Sequence, residues 1–280
     1  MMKKILVLFC VLFVSSYAFA QKKEKVKGSR IVTTAQKDIN NFDNLEVEDN
    51  IEVFLQQGDN AALEIEADDN LHEIITVEEK AGGLRVSLSK EFYGAKKVSV
   101  KITYTSGFKM LVCKDDTYVT ALGDIVLDDF TIKSFGASKV FATVRSKIFM
   151  LMSTDKSKAE LNVAATDVNI ELSKTSQLKA LLTATKLKFD MYQKSLANIE
   201  GDTGSLTLRL DTGANFTGKN LTAKNADIIT EGNANGSINV TTAVAIEASG
   251  TSELELFGSP KISIRKFDDA ATLRKKILKP

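Results

Sequence analysis

Apolar and polar residues alternate with a period of two along most of the chain. The alternation is clear in five early stretches, which are residues 45–48, 51–55, 63–66, 84–88 and 98–102. A period of two places the apolar side chains on one face of an extended chain, so each stretch is predicted to be a half-buried β-strand. The glycine, asparagine and aspartate residues between them are typical of turns. Residues 70–79 are the one candidate for a short helix, and their β-branched residues argue against it.

From about residue 115 the alternation becomes a repeat. Each unit has one or two small or polar residues, a spacer and an apolar residue, and a second strand follows about ten residues later. Eight units can be aligned, and their first residues are spaced by 21, 19, 19, 21, 17, 20 and 18 residues. A small side chain is needed where a tight turn stacks on the turn below it. The residues predicted to fill these turns are Ser138, Ser157, Ser176, Ala197, Ala214, Ala234 and Ser252.

A two-strand repeat cannot bury its apolar side alone, whereas stacked repeats share one continuous interior. The predicted fold class is therefore an all-β solenoid with about eight coils of ~19 residues after an N-terminal strand-rich segment. A β-sandwich is the alternative, because strands spaced by about 8–12 residues would suit it as well. A leucine-rich repeat has a similar length, but its fixed Leu/Asn pattern is absent.

The first twenty residues predict a secretory signal peptide. Two lysines precede an apolar stretch at residues 5–14, and Ala-Phe-Ala at 18–20 matches a cleavage site, so cleavage is expected between Ala20 and Gln21. The apolar stretch is about half the length of a membrane-spanning helix, and no later segment is long enough. We expect a protein exported to the periplasm, the outer-membrane surface or the medium. The predicted organisation is a signal peptide at 1–20, an N-terminal extension at 21–40, one solenoid domain at 41–265 and a basic tail at 266–280.

The charges nearly cancel, with 37 basic and 36 acidic residues, but the two signs are segregated along the chain. Residues 41–80 carry thirteen acidic residues and one basic residue, while residues 131–224 carry fourteen basic and eight acidic residues. A near-neutral chain without aromatics among its basic residues argues against nucleic-acid binding. Two interpretations stay open: complementary surfaces of one folded body, or an acidic 41–80 surface docking on the basic 131–224 surface of a second copy.

Few residues suit catalysis or metal binding. His72 is the single histidine, so a multi-histidine zinc site is excluded and a serine triad would depend on this residue alone. Cys113 is predicted to be a packed strand residue, with an intermolecular disulfide as the alternative. The paired aspartates at 68–69, 115–116, 128–129 and 268–269 are predicted to be turn residues in preference to cation ligands.

One set of carboxylates could meet on successive coils. Asp190, Asp211 and Glu231 are spaced by 21 and 20 residues, close to the repeat length. Cleavage of a glycan needs two carboxylates at a definite separation, so these three are the candidates for such a site. The sequence as a whole argues against a glycan-cleaving site, and no catalytic, cofactor-binding or metal-binding residue is assigned.

An ordered series of weak motifs resembles a known family. The motifs lie at 31–34, 41–47, 51–53, 57–58, 83–86 and 98–104, and Gly-small-x units follow at 136–138, 213–215 and 250–252. Together they resemble the putative auto-transporter adhesin, head GIN domain family of bacterial envelope proteins over about residues 30–265. The chain has no Gly-Ile-Asn tripeptide, and residues 113–116 (Cys-Lys-Asp-Asp) stand where a small-residue turn is expected. The second departure leaves the coil boundary near Cys113 open.

The resemblance implies a right-handed β-helix-like fold, export to the envelope and no established catalytic residues. The predicted function is that of an exported, non-catalytic binding or adhesin-like protein, without a cofactor, whose partner is a glycan or an envelope or host protein. A polysaccharide-cleaving β-helix enzyme and a purely structural or sensing envelope protein are the alternatives.

Overall fold

The computed structural model describes residues 23–278, so the predicted signal peptide and its cleavage site at Ala20 and Gln21 lie outside the described residues. The chain is 68% strand and 2% helix, which confirms the all-β class. One 3-10 helix covers Asp69–Ile74. The strands are β1 (Lys25–Lys27), β2 (Val32–Lys37), β3 (Asn44–Val47), β4 (Glu52–Gln57), β5 (Ala62–Asp68), β6 (Ile75–Lys80), β7 (Gly83–Leu88), β8 (Glu91–Tyr93), β9 (Val98–Tyr104), β10 (Met110–Cys113), β11 (Tyr118–Val126), β12 (Asp129–Ser134), β13 (Lys139–Ser153), β14 (Lys158–Leu172), β15 (Gln177–Met191), β16 (Leu196–Leu210), β17 (Asn215–Thr230), β18 (Asn235–Ala248), β19 (Glu253–Phe257), β20 (Lys261–Phe267) and β21 (Thr272–Lys275).

Each central coil is one long strand that bends once and ends in a tight turn. In β14 the buried residues alternate through Ala159, Leu161 and Val163, and the alternation restarts at Val168 after four partly or fully exposed residues. That interruption is the bend, so the two halves of the strand belong to two walls of the solenoid that enclose a shared interior. Successive long strands pair in parallel with matched residues, which aligns inward and outward side chains in columns from coil to coil.

These parallel pairings confirm the β-solenoid and exclude the β-sandwich. The solenoid has about nine coils, one more than the sequence predicts. The additional coil contains β3 and β4, which pair in parallel with β10 and β11. Residues 58–109 form an insertion between β4 and β10 that builds β5–β9. The insertion interrupts the 19-residue spacing, so this coil could not be recognised from the spacing.

The tight turns share one backbone geometry. A residue with positive φ occupies the same position of each turn, and several of these residues are not glycine. Gly136 shows why the position is demanding, because a Cβ there would lie 2.8 Å from the backbone of Asp115 in the turn above. The positive-φ residues of the stacked turns are Asp49, Asp115, Gly136, Asp155, Lys174, Gln193, Thr212, Gly232, Gly250 and Asp269.

In the eight turns from Asp115 to Gly250, a buried small residue follows two positions after the positive-φ residue. In some of these turns the hydroxyl closes the turn: Ser138 donates to the carbonyl oxygen of Phe135 at 2.7 Å, and Ser157 donates to that of Thr154 at 2.6 Å. Of the seven residues expected in the turns, six lie at this position, which are Ser138, Ser157, Ser176, Ala214, Ala234 and Ser252.

Ala197 does not occupy a turn, and its assignment is corrected. It is an inward residue of β16, and the turn position belongs to Ser195, which is fully buried. With Ser195 in place, Ser176, Ser195 and Ala214 are nineteen residues apart, so the spacings of 21 and 17 on either side of Ala197 become 19 and 19. Alanine and serine are equally small, so the sequence alone did not separate the two positions. Near Cys113, Asp115 takes the positive φ and Thr117 the buried position, so this turn has the common geometry despite its unusual sequence.

The N-terminal end of the solenoid is a closed cap. The antiparallel strands β2, β5 and β9 continue one wall, the β6–β7 hairpin continues the other, and Leu71 and Ile74 of the 3-10 helix are buried beneath them. The helix considered for residues 70–79 therefore stops at Ile74, where β6 takes over. Residues 23–40, expected as an extension, contribute β1 and β2 to the cap.

The fully buried carboxylate of Asp68 fixes this cap. It accepts backbone N–H bonds from Arg30 at 2.7 Å and from Lys96 and Lys97 at 3.1 Å. Burial raises the pKa of Asp68, but these hydrogen bonds outweigh burial and leave the pKa below its usual value. At the other end, β20 and β21 form the last coil, so residues 266–275 belong to the solenoid although a tail was expected there.

Candidate binding face

The two walls of the solenoid present different outward side chains. On the first wall, formed by the N-terminal halves of β13–β17, outward residues are mainly amides, lysines and threonine. We call this surface the amide wall, and its residues are Lys139, Phe141, Lys158, Glu160, Asn162, Gln177, Lys179, Leu181, Leu196, Asn198, Glu200, Asn215 and Thr217.

A shallow groove of about 620 Å³ crosses the amide wall from β11 to β16. It spans four strand steps, or roughly 20 Å. At one end Tyr118 and Phe141 stack with ring centroids 5.0 Å apart and planes 27° apart. A second hollow of about 390 Å³ shares Glu160, Lys179 and Asn198 with the first and continues toward Thr217, so the two form one elongated depression.

Two strand irregularities frame this depression. The pairing of β11 with β13 shifts register between Thr120 and Asp124, and that of β16 with β17 shifts between Asn198 and Glu200. Bulges of this kind redirect side chains and are frequent beside functional sites. Between them the strands keep strict register, which gives the amide wall regular columns.

The polar side chains of the amide wall are not engaged with other residues of the described part of the chain. Among residues 23–278, the side chains of Lys139, Lys158, Gln177, Lys179 and Asn198 make no hydrogen bond or ion pair. The register even sets Glu160 beside Lys179, yet the two charged groups are not within ion-pairing distance. Donors and acceptors in the groove are therefore available to an external molecule.

The second wall, formed by the C-terminal halves of the long strands and by β3, β7 and β10, is covered with ion pairs. We call it the ion-paired wall. Its contacts include Lys188–Asp190 at 2.9 Å, Arg209–Glu231 at 2.8 Å and Arg265–Asp227 at 2.8 Å. Most charged side chains of this wall are paired, whereas uncharged polar ones such as Asn169 and Thr207 have no hydrogen-bond partner within residues 23–278.

A carboxylate network forms the N-terminal part of the ion-paired wall. Glu48 accepts hydrogen bonds from Lys114 at 2.6 Å and from Arg85, and both cations also contact Glu46. Burial raises the pKa of Glu48, but the bonds from Lys114 and Arg85 outweigh burial and lower the pKa from 4.5 to about 2. This part of segment 41–80 is thus neutralised within the chain.

Of the three carboxylates considered for glycan cleavage, Asp211 and Glu231 occupy the same position of neighbouring turns, whereas Asp190 is out of register with both. Asp190 lies in register with Arg209 on the ion-paired wall, and not with Asp211. Asp211 and Glu231 each begin a tight turn of neighbouring coils, and Glu231 is paired with Arg209. Asp190 is out of register because the distance of 21 residues from Asp190 to Asp211 exceeds the 19-residue coil found there.

The paired aspartates mostly serve the backbone. The Asp115 carboxylate accepts the N–H of Asp49 at 3.2 Å, and Asp269 accepts that of Gly250 at 3.0 Å, so each ties one turn to the turn above. Asp68 fixes the cap, and Asp128 pairs with Lys147 at 3.0 Å. In the described part of the chain no three His, Cys, Asp or Glu side chains form a group that could hold a metal ion.

His72 and Cys113 have local roles. The His72 Nε2 atom lies 2.9 Å from the hydroxyl of Thr33, at the edge of the cap. Cys113 is fully buried at the end of β10, and burial raises the pKa of its thiol. A buried, protonated thiol is a poor nucleophile and is out of reach of a second chain.

Sequence reasoning missed the amide wall. Its residues belong to period-two strands, where they were interpreted as ordinary exposed positions. The predicted repeat already places Lys139, Lys158 and Gln177 in one column, each one residue after a turn serine, but their lack of partners within residues 23–278 is a property of the folded surface.

The fold and this surface define a β-solenoid with one wall rich in ion pairs and one wall whose polar side chains have no partner within residues 23–278. Residues 41–260 match the family described as putative auto-transporter adhesin, head GIN domain, and the chain belongs to this family. No curated protein is detectably similar in sequence.

Solved structures share the fold. A putative adhesin from Parabacteroides merdae superposes with a TM-score of 0.62 at 14% identity, covering 90% of this chain and 99% of the other. A putative lipid binding protein from Parabacteroides distasonis has a TM-score of 0.57 at 14% identity, with coverage of 91% and 98%. A putative adhesin from the same species has a TM-score of 0.56 at 17% identity, with coverage of 90% and 100%. Across residues 23–278 there is no helix with the length and apolarity needed to cross a bilayer.

Proposed function

We propose that this protein is an exported, non-catalytic, adhesin-like protein of the bacterial envelope that holds an extended glycan along the amide wall. The observation that carries the proposal is the row of polar side chains in the groove that have no partner within the described chain. The predicted signal peptide supports export, and membership of a family named for adhesins supports a binding role.

The chemistry of the amide wall suits a sugar polymer. Amide side chains such as Gln177 and Asn198 both donate and accept hydrogen bonds, as sugar hydroxyls do. The exposed parts of Tyr118 and Phe141 offer aromatic surface for the apolar face of a sugar ring. Coils repeat at about 4.8 Å, a rise similar to the advance of an extended β-linked glycan per sugar unit, so neighbouring coils could make equivalent contacts with neighbouring units.

Binding along such a surface gains affinity from many weak contacts. Each exposed hydrogen bond contributes little because water competes for the same groups. A polymer that contacts several coils adds these contributions while its ordering cost grows more slowly. We therefore expect affinity to increase with the length of the glycan.

Catalysis is the second candidate, because Glu160 and Glu200 both line the groove. They lie on β14 and β16, two strand steps or roughly 10 Å apart along the axis. A glycosidase needs carboxylates flanking one bond. The test is an assay of reducing sugars released from the polysaccharides that bind, with Glu160→Gln as the matched variant; turnover that this variant abolishes would replace binding by cleavage as the function.

The direct experiment screens the mature chain against immobilised polysaccharides and purified envelope and host proteins. We expect retention on at least one polysaccharide, and loss of retention in the double variant Gln177→Ala/Asn198→Ala. Selective retention on a protein would make that protein class the partner in place of a glycan. Retention on nothing would contradict the proposal and favour a structural or sensing role.

A further inference from the structure

Strands β20 and β21 form the C-terminal edge of the described solenoid. Strand β20 pairs with β18, and β21 pairs with β19, and within residues 23–278 neither has a strand on its other edge. The backbone N–H and C=O groups of that edge therefore have no strand partner. An open edge of this kind is a template for pairing with another chain.

The same end exposes residues that occupy core positions. The register aligns Ile262 with buried Val244, Ile264 with buried Ile246, and Phe267 with buried Ala248. These three side chains point along the interior columns, yet they are 43%, 53% and 42% exposed because no further coil covers them. A solenoid normally ends in a cap with a polar outer face.

The N-terminal end does have such a polar surface. Strand β2 is also an edge strand, but its residues opposite the buried Ala67 and Leu63 are Thr33 and Lys37, both exposed. On the other wall, Glu79 of β6 stands opposite buried Leu84. If the apolar C-terminal end docked on this cap, it would lose hydration without gaining apolar contact. The N-terminal cap is therefore a poor partner for the C-terminal end.

We propose that the C-terminal end is an interface for a second copy of this chain, joined tail to tail through antiparallel pairing of the two β20 strands. Across a two-fold axis, two identical apolar ends cover each other and their free strand edges pair. This symmetry closes the assembly as a dimer. With the axis normal to the walls, the two β21 strands face each other as well.

One antiparallel register is favoured by charge. The register shift in β20 makes Arg265 an extra, bulged residue. If Ile264 lies opposite its symmetry mate, Ile262 then faces Phe267 of the second copy, and Lys261 faces Asp268. This register buries the three exposed core positions and sets opposite charges at both ends of the paired strands.

Sedimentation equilibrium of the mature chain over a range of concentrations tests the proposal. We expect a monomer–dimer equilibrium that persists in high salt, because apolar contact and backbone pairing carry the interface. Ile264→Asp should weaken dimerisation by about tenfold or more. The control is Leu196→Asp on the amide wall, since Leu196 is 44% exposed and lies far from this end in sequence; it should leave dimerisation unchanged.

Exchanging the charges of Lys261 and Asp268 distinguishes a weakened interface from a misfolded variant. Lys261→Glu and Asp268→Lys should each weaken the dimer, and the double variant should recover it. A monomer at every concentration would overturn the proposal. So would a dimer that high salt dissociates and Ile264→Asp spares, which would point to docking of the acidic 41–80 surface on the basic 131–224 surface. Growth into filaments would also overturn it in favour of head-to-tail stacking.

Discussion

The two walls of this solenoid are built from the same strands, yet their outward side chains behave differently. On the ion-paired wall, charged residues of neighbouring coils or neighbouring positions meet, as Arg209 and Glu231 do at 2.8 Å. On the amide wall, residues such as Gln177 and Asn198 have no partner within the described chain. Both walls cover the same interior, so packing of the core does not explain the difference.

This difference indicates where to look for a binding site on a repetitive surface. A stacked fold has no deep cleft, and its outward residues repeat at every coil. Polar groups that satisfy one another are already committed, whereas polar groups without partners are available to a ligand. The presence or absence of partners for the side chains, more than the depth of a pocket, therefore distinguishes the two walls.

The largest expected effect comes from removing the carboxylate of the ion-paired wall that accepts hydrogen bonds from two cations. Glu48→Gln should lower the free energy of unfolding by about 2 kcal/mol, because it leaves Lys114 and Arg85 without their hydrogen-bonded carboxylate. The matched change on the amide wall, Glu160→Gln, should have almost no effect. Urea unfolding of both variants measures the contrast, and equal losses would contradict the distinction between the walls.

The same pair of variants should respond differently to pH. The pKa of Glu48 is about 2 in the folded chain and about 4.5 without its partners, so the folded state binds fewer protons in that range. The stability that Glu48 contributes is thus complete above about pH 4.5 and is lost as the pH falls toward 2.

The measurement is the difference in unfolding free energy between the wild type and Glu48→Gln at pH 6 and near pH 2.5. This difference should shrink at the lower pH. Comparing the two proteins cancels the contribution of Asp68, whose pKa is also lowered. A difference that is constant with pH would show that Glu48 is not held as an ionised carboxylate by its two cations.

The smallest effect concerns exposed charges in the middle of each wall. Arg209→Gln removes an ion pair whose side chains are 43% and 38% exposed, so we expect a loss below about 1 kcal/mol that disappears in high salt. Lys179→Gln on the amide wall should leave stability unchanged at any salt concentration. Thermal unfolding at low and high salt separates the two; a salt-dependent loss in Lys179→Gln would reveal a partner on the amide wall.

Much of the fold could be predicted because a solenoid repeats one local rule. The period of two fixed which side chains point inward, and the recurrence of small residues near every nineteen positions indicated stacked turns. The first coil was not predicted because residues 58–109 interrupt the repeat between β4 and β10. The turn at Ser195 was misplaced at Ala197 because two small residues at nearby positions have the same signature in a single sequence.

The candidate site was harder to predict than the fold. Whether Asp190 stands beside Arg209 or Asp211 of the next coil depends on the length of that coil to the residue, and a spacing of 21 suggested the wrong neighbour. The register places Glu160 beside Lys179, where a sequence argument would have paired them. Partners at a surface depend on side-chain geometry that periodicity does not contain.

The central claim is that the amide wall, and not the ion-paired wall, is the binding surface. The most direct test is calorimetric titration of a glycan that the screen retains into two matched double variants. Gln177→Ala/Asn198→Ala lies on the amide wall, and Asn169→Ala/Thr207→Ala lies on the outward side of β14 and β16 on the ion-paired wall. We predict that the first variant loses binding while the second binds as the wild type does. Loss of binding in the second variant with retention in the first would contradict the account.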